Sequence, residues 1–170
     1  MNTELHLIDG ALNWDFNGTA YCYKAEGVQS AREKNGRILM DIYSDGDFYY
    51  RFIDLCGKDI LSYNDYGELT VYGSEKNTEL SFDKINDVAF KNENILVMLD
   101  NEIVFLSGNG TVDSRLLPPY GYSFYRFAGD EGISVICNGN SQTADKFGRN
   151  DWKFTYDVIT GNWSDGKVAY

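Results

Sequence analysis

Asp87-Val88-Ala89-Phe90, Ile95-Leu96-Val97-Met98-Leu99, Glu102-Ile103-Val104-Phe105-Leu106 and Thr111 to Leu117 are four short runs within Ile85–Leu117. They are separated by Lys91-Asn92-Glu93-Asn94, Asp100-Asn101 and Ser107-Gly108-Asn109-Gly110. Runs of four or five apolar, β-branched residues are too short for helices, and the Asn/Asp/Gly clusters between them are turn formers. Asn-Gly supplies the positive φ angles that two-residue hairpins require. The stretch therefore predicts four antiparallel strands in 33 residues.

The rest of the chain reads as looser copies of this unit. Leu5 to Ile8, Ala11 to Phe16 and Thr19 to Ala25 predict strands joined at Asp9-Gly10 and Asn17-Gly18. Glu26 to Gly36 carries few large apolar residues and predicts a loop or a short helical turn. Strands resume at Arg37 to Tyr43, Phe48 to Leu55, Asp59 to Tyr63 and Glu68 to Tyr72, with Glu79 to Phe82 as an edge strand or a linker. Tyr122 to Ala128, Ile133 to Cys137, Trp152 to Asp157 and a last hairpin through Thr160-Gly161 complete the series, interrupted by a polar loop of 13 residues, Asn138 to Asn150. Phe52 to Ile60 aligns without a gap on Ile95 to Ile103, a period of 43, and Gly18, Gly67, Gly110 and Gly161 recur at spacings of 49, 43 and 51. Periods of about 40–50 with four strands each are the mark of a β-propeller. The expected fold is all-β: a single domain, 1–170, forming a small propeller-like ring of about four antiparallel sheets, with units near 1–25, 37–73, 79–117 and 121–170. An antiparallel β-sandwich or open barrel is the alternative. Since the first unit has three evident strands, ring closure would fall to Lys167-Val168-Ala169-Tyr170 pairing with it, which would hide two edges.

Charge is the strongest bulk signal. Fifteen basic residues stand against 26 acidic ones, a net of −11. Such a field repels phosphate, so nucleic acid is not an expected partner. It favours solubility and steers basic partners. Cys22, Cys56 and Cys137 sit among apolar strand residues with no Cys-x-x-Cys spacing. They read as buried free thiols in a reducing compartment. The first residues have neither a basic n-region nor a long apolar run, so neither a signal peptide nor a membrane span is expected, and the expected location is the cytoplasm.

Chemistry-bearing patterns are few. His6 is the sole histidine, so any Ser-His or Cys-His relay would depend on it, and sites built on several histidines are excluded. Asp41, Asp45, Gly46 and Asp47 faintly resemble a calcium loop, but the EF-hand spacing is absent and both flanks read as strand. No Gly-rich phosphate loop precedes a helix. No cofactor, no metal and no catalytic residue is expected. Aromatics cluster at Phe48-Tyr49-Tyr50, at Tyr120 to Tyr125 and at Trp152, Tyr156 and Trp163. Alternation turns half of them outward, where they serve seams, protein interfaces or sugar stacking.

Tyr156-Asp157-Val158-Ile159-Thr160-Gly161-Asn162-Trp163 resembles the Tyr-Asp-x-x-Thr-x-x-Trp hairpin of kelch-type propeller blades, although the other units lack the Gly-Gly pair and the Trp. In size, acidity and cytosolic character the whole chain resembles in type the immunity proteins of bacterial toxin–immunity pairs, such as those of contact-dependent growth inhibition. That resemblance implies a non-enzymatic inhibitor, monomeric within a heterodimer, that blocks a basic toxin of nuclease type by occlusion. The acidic and aromatic turn positions Asp45, Asp47, Asp65, Tyr66, Asp130, Glu131 and Asp151 are the expected contacts. A carbohydrate-binding module with a Trp or Tyr platform is the alternative function.

Overall fold

The structure, a computed structural model, describes residues 3–24, 26–129 and 132–169. Among these residues it is all-β, with four antiparallel sheets and none closed into a barrel. The chain divides into two compact units, Met1–Phe82 and Asp83–Tyr170.

In the first unit, β1 (Leu5–Ile8), β2 (Ala11–Phe16) and β3 (Thr19–Lys24) form a three-stranded meander. A six-stranded meander follows: β4 (Val28–Lys34), β5 (Arg37–Ser44), β6 (Asp47–Ile53), β7 (Asp59–Tyr63), β8 (Glu68–Val71) and β9 (Thr78–Ser81). Asp9-Gly10, Asn17-Gly18, Asn35-Gly36 and Asp45-Gly46 all hold positive φ at both residues. That geometry matches the twist of the strands they join. Leu12 and Trp14 of β2 pack with Ile38, Met40, Ile42 and Ile53 in one core. Trp14 Nε1 donates to the Leu55 carbonyl at 2.9 Å, which satisfies its only polar atom inside that core. Tyr23 donates to Asp59 at 2.6 Å and accepts from Arg51 at 3.0 Å, tying β3 to β6 and β7.

One expectation changes here and another resolves. The segment Glu26 to Gly36, expected as a loop or helical turn, contains strand β4, paired along β5 from Val28↔Ile42 to Lys34↔Arg37. Val28 and Ala31 pack against the core while Gln29, Ser30, Arg32 and Glu33 are exposed. Its charges suit an edge strand, which must resist pairing with another chain. Glu79 to Phe82 resolves as the opposite edge, β9 on β8.

In the second unit, β10 (Asp87–Lys91), β11 (Asn94–Met98), β12 (Ile103–Leu106) and β13 (Val112–Leu116) form the four-stranded sheet expected from the opening stretch. The last sheet orders β14 (Ser123–Phe127), β15 (Ile133–Asn138), β16 (Asp151–Asp157) and β17 (Asn162–Trp163), with β18 (Lys167–Val168) also on β16. Leu96, Met98 and Ile103 pack with Phe124, Ile133, Val135, Cys137 and Phe154 in one core. The expected ring closure is corrected: Lys167 and Val168 pair with Lys153 and Trp152 of their own sheet, and Tyr170 lies outside the described residues. Cross-strand pairing places Val168 level with Trp152, so the segment extends a sheet that is already built.

A second regularity lies in the turns. Asp54–Lys58, Asn64–Glu68, Ser107–Thr111 and Asp145–Arg149 close alike. In each, the first residue's N–H donates to the fifth residue's carbonyl, and the fourth residue's N–H donates back to the first carbonyl. The first side chain also accepts from the fifth N–H, at 2.9–3.2 Å. The fourth residue is Gly with φ of 79 to 94 in every case. An Asp, Asn or Ser followed three residues later by Gly is thus a self-contained turn signal.

Candidate functional site

Successive antiparallel strands place alternate connections at the same end of a sheet. The β5–β6 and β7–β8 turns therefore share one end of the six-stranded sheet, and the β6–β7 loop lies at the other. This brings together Asp45, Asp47, Asp65 and Tyr66, four of the seven residues expected from the sequence. Asp45 sits at positive φ in its turn and accepts from the Ser44 hydroxyl at 3.1 Å. Asp47 opens β6, opposite Ser44. Asp65 and Tyr66 are the two middle residues of the Asn64–Glu68 turn, and Tyr66 is 72% exposed.

Between the two hairpins lies a cleft of about 250 Å³, lined by Asp47, Phe48, Tyr49, Tyr63, Asn64 and Glu68, with Ser62 and Thr70. No described Lys or Arg lines it. Among the described residues none of Asp45, Asp47, Asp65 and Glu68 has a basic partner. Tyr43 and Phe48 face each other across the hairpin with ring centroids 4.7 Å apart, and both remain about half exposed, at 45% and 55%. This end thus joins unneutralised carboxylates to exposed aromatic rings. Tyr43, Phe48 and Glu68 were absent from the expected contacts. The alternation of β5 and β6 carries the signal for the first two, because Tyr43 and Phe48 occupy opposed, outward positions next to the turn.

The other expected contacts are placed differently. Asp151 is exposed at the start of β16, opposite Asn138, in the second unit. Asp130 and Glu131 lie outside the described residues. Asp41, read with Asp45 and Asp47 as faintly calcium-like, points its carboxylate at Arg32, 2.8 Å away on β4.

His6 lies beside a larger cleft of about 870 Å³ in the first unit. Register aligns His6, Asn13 and Cys22 in one row across β1, β2 and β3. Two strand spacings separate the imidazole's backbone from that of the thiol, about 10 Å, with Asn13 between them. A base must reach within about 3 Å of the proton it takes, so this row is not a relay. His6 instead stands 3.6 Å from Glu4, both exposed. Cys137 is fully buried, and burial pushes its thiol up to about 12. The three Trp are committed to packing: Trp14 is 4% exposed, and Trp152 and Trp163 lie against the second core. Among the described residues no helix is long and apolar enough to cross a membrane. No protein-family model matches the chain, and no curated protein matches it.

Proposed function

We propose that this chain is a non-enzymatic binding protein, a cytosolic immunity protein that neutralises a basic toxin of nuclease type by occluding it. The observation that carries the reading is the acidic and aromatic end of the six-stranded sheet: Asp45, Asp47, Asp65 and Glu68, with no basic partner among the described residues, beside exposed Tyr43, Phe48 and Tyr66. A nuclease cleft is lined with cations that hold phosphate. Carboxylates on rigid hairpins would occupy the same cations, and the aromatic rings would supply desolvated contact area. The net charge of −11 would steer the encounter. The partner is thus a basic protein in a one-to-one complex, held by charge for speed and by rings for lifetime.

The test is co-expression with the product of the adjacent gene, followed by salt-dependent kinetics. The expected result is a one-to-one complex whose association rate falls about tenfold or more between low and high salt. Asp45→Lys with Asp47→Lys should slow association, and Phe48→Ala with Tyr66→Ala should speed dissociation. A complex indifferent to salt and to all four substitutions, or no complex with a basic protein, sinks the reading.

A further inference from the structure

We propose that the outer face of the last sheet is a binding site for a small phosphorylated ligand, presented by Arg126, Lys153 and Lys167.

The register puts these residues in one row across four strands: Arg126 of β14 opposite Ile136 of β15, Ile136 opposite Lys153 of β16, and Lys153 opposite Lys167 of β18. Paired residues share a face, and the neighbours of Lys153 along β16, Trp152 and Phe154, belong to the opposite, core-facing side. The three cations are exposed, and with Ile136, Ala128, Gly129 and Ala169 they line a cleft of about 450 Å³ with no carboxylate among the described residues that line it. Small-molecule sites begin at about 300 Å³.

Two features argue that the row is built for a ligand. The first is a β-bulge. The register passes from Phe124↔Cys137 directly to Arg126↔Ile136, leaving Tyr125 unpaired. In a regular strand Tyr125 would stand opposite Ile136, and Arg126 would fall on the core side opposite Val135. The extra residue re-aims the guanidinium onto the face that carries the two lysines. The second is an uncompensated repulsion. Like charges directly opposite each other destabilise a sheet. Lys153 and Lys167 are such a pair, and among the described residues neither they nor Arg126 has an ion pair or a side-chain hydrogen bond. By contrast Arg115 and Arg149 of the same unit are paired with Glu102 and Asp145. In a chain with 26 acidic residues, three cations stand side by side with no carboxylate among the described residues of their cleft, which leaves them open to an anion from outside.

The charge count selects the partner. One carboxylate would be neutralised by one lysine. Two opposed ammonium groups and a planar guanidinium match a group of charge about −2 with several acceptor oxygens, which describes a phosphate monoester. A long polyanion would also meet the repulsion of the remaining net negative chain, and the row spans only about 15 Å. A small ligand places its phosphate on the row and its body over Ile136, the apolar floor, which is 5% exposed.

The test is backbone amide NMR with inorganic phosphate and with glucose 6-phosphate as probes, at constant ionic strength against chloride. The expected result is saturable shifts at residues 126–129, 136, 153 and 167–169, with the sugar phosphate binding more tightly than phosphate alone. Lys153→Gln with Lys167→Gln should weaken binding about tenfold or more. It should also raise the melting temperature of the free protein by removing the opposed charges, which shows that the variant folds. Arg126→Gln provides a second variant that leaves β16 and β18 untouched. Shifts that track chloride equally, or binding unchanged in both variants, overturn the proposal. Asp130 and Glu131 follow Gly129 in sequence and lie outside the described residues. Phosphate binding that appears only after Asp130→Asn and Glu131→Gln would mean that those carboxylates fill the row, and would overturn it as well.

Discussion

Gly27 shows how much one residue can decide. It holds φ of +78, and a Cβ there would lie 2.2 Å from the Tyr43 carbonyl oxygen. Its own carbonyl accepts from Tyr43 N–H at 2.9 Å. The backbone of the entry to β4 therefore lies directly against the end of β5, and only the absence of a side chain permits it. Gly27→Ala should lower stability by roughly 2 kcal/mol or more, read as a lower urea midpoint with unchanged slope. Nothing in the sequence around Gly27 announces this, because the neighbour it meets is 16 residues away. Cys137 makes a complementary case. Its apolar neighbours in the sequence already imply burial, and the structure raises its thiol from 9.0 to about 12 by burial. Cys22 and Cys56, expected to be buried for the same reason, are instead exposed. In the native protein near pH 8, iodoacetamide should therefore modify Cys22 and Cys56 and spare Cys137 until the chain unfolds. The sign for stability follows. A group whose native pKa is raised keeps its full contribution below the unfolded value and loses it as pH climbs toward the native one. Stability should therefore decline between about pH 9 and about 12, and Cys137→Ser should flatten that decline.

At the scale of elements, turns were more legible than strands. Each of the Asp-Gly and Asn-Gly pairs in the first 46 residues marks a hairpin, because φ is positive at both positions. Strand β4 was hidden for the opposite reason: Gln29, Ser30, Arg32, Glu33 and Lys34 read as loop, and what makes the segment a strand is the long-range ladder to β5. The kelch-like hairpin has a local cause. The Asp157 carboxylate accepts from the Ile159 N–H at 2.8 Å and from the Thr160 hydroxyl at 2.9 Å, and Tyr156 sits against Trp163 with centroids 5.1 Å apart. The Asp, the Thr and the Trp of the motif are thus one turn seen from three sides. These bonds, the Ile159 N–H foremost, hold Asp157 below the usual carboxylate range, and Arg149 does the same for Asp145. A depressed native pKa contributes stability above the unfolded value, and the contribution is lost as pH falls through the native one. Acidification below about pH 4 should therefore lower the protection of the amides at residues 147–149 and 159–161, measured against their intrinsic exchange rates at each pH, before the sheets open. Asp157→Asn, which keeps an acceptor but no charge, should remove the pH dependence at 159–161 alone.

For the whole molecule, the aromatic content and the short strand runs suffice for an all-β chain in four antiparallel sheets, and the opening stretch gives one of those sheets strand for strand. The glycine spacing misleads in detail. Gly18 lies in a two-residue turn, Gly67 and Gly110 in the five-residue turn, and Gly161 in a third kind whose N–H donates to the Asp157 carbonyl. The sheets accordingly hold three, six, four and five strands rather than equal repeats. The candidate site was legible where topology is simple: in a meander, turns two connections apart must meet, so Asp45, Asp47, Asp65 and Tyr66 come together. It was not legible where side chains from different elements line a common cleft, as Glu68 does. The imbalance of 26 acidic over 15 basic residues also sets a bulk property. Solubility should pass through a minimum near pH 4.4, where net charge vanishes, and turbidity measured across pH 3–7 should peak there.

The five-residue turn has a consequence for change rather than for stability. Its frame depends on the first, fourth and fifth residues, and the two middle residues contribute no bond to the closure shared by all four copies. In two copies those middle pairs, Asp65-Tyr66 and Lys146-Phe147, each lift an aromatic ring into solvent, at 72% and 70% exposure. Such a pair is a cassette: its identity can drift, or be exchanged between positions, while the hairpin beneath it stays fixed. A lineage built on this scaffold could retarget its surface two residues at a time, and a designer could graft a chosen dipeptide into either slot and expect the fold to hold.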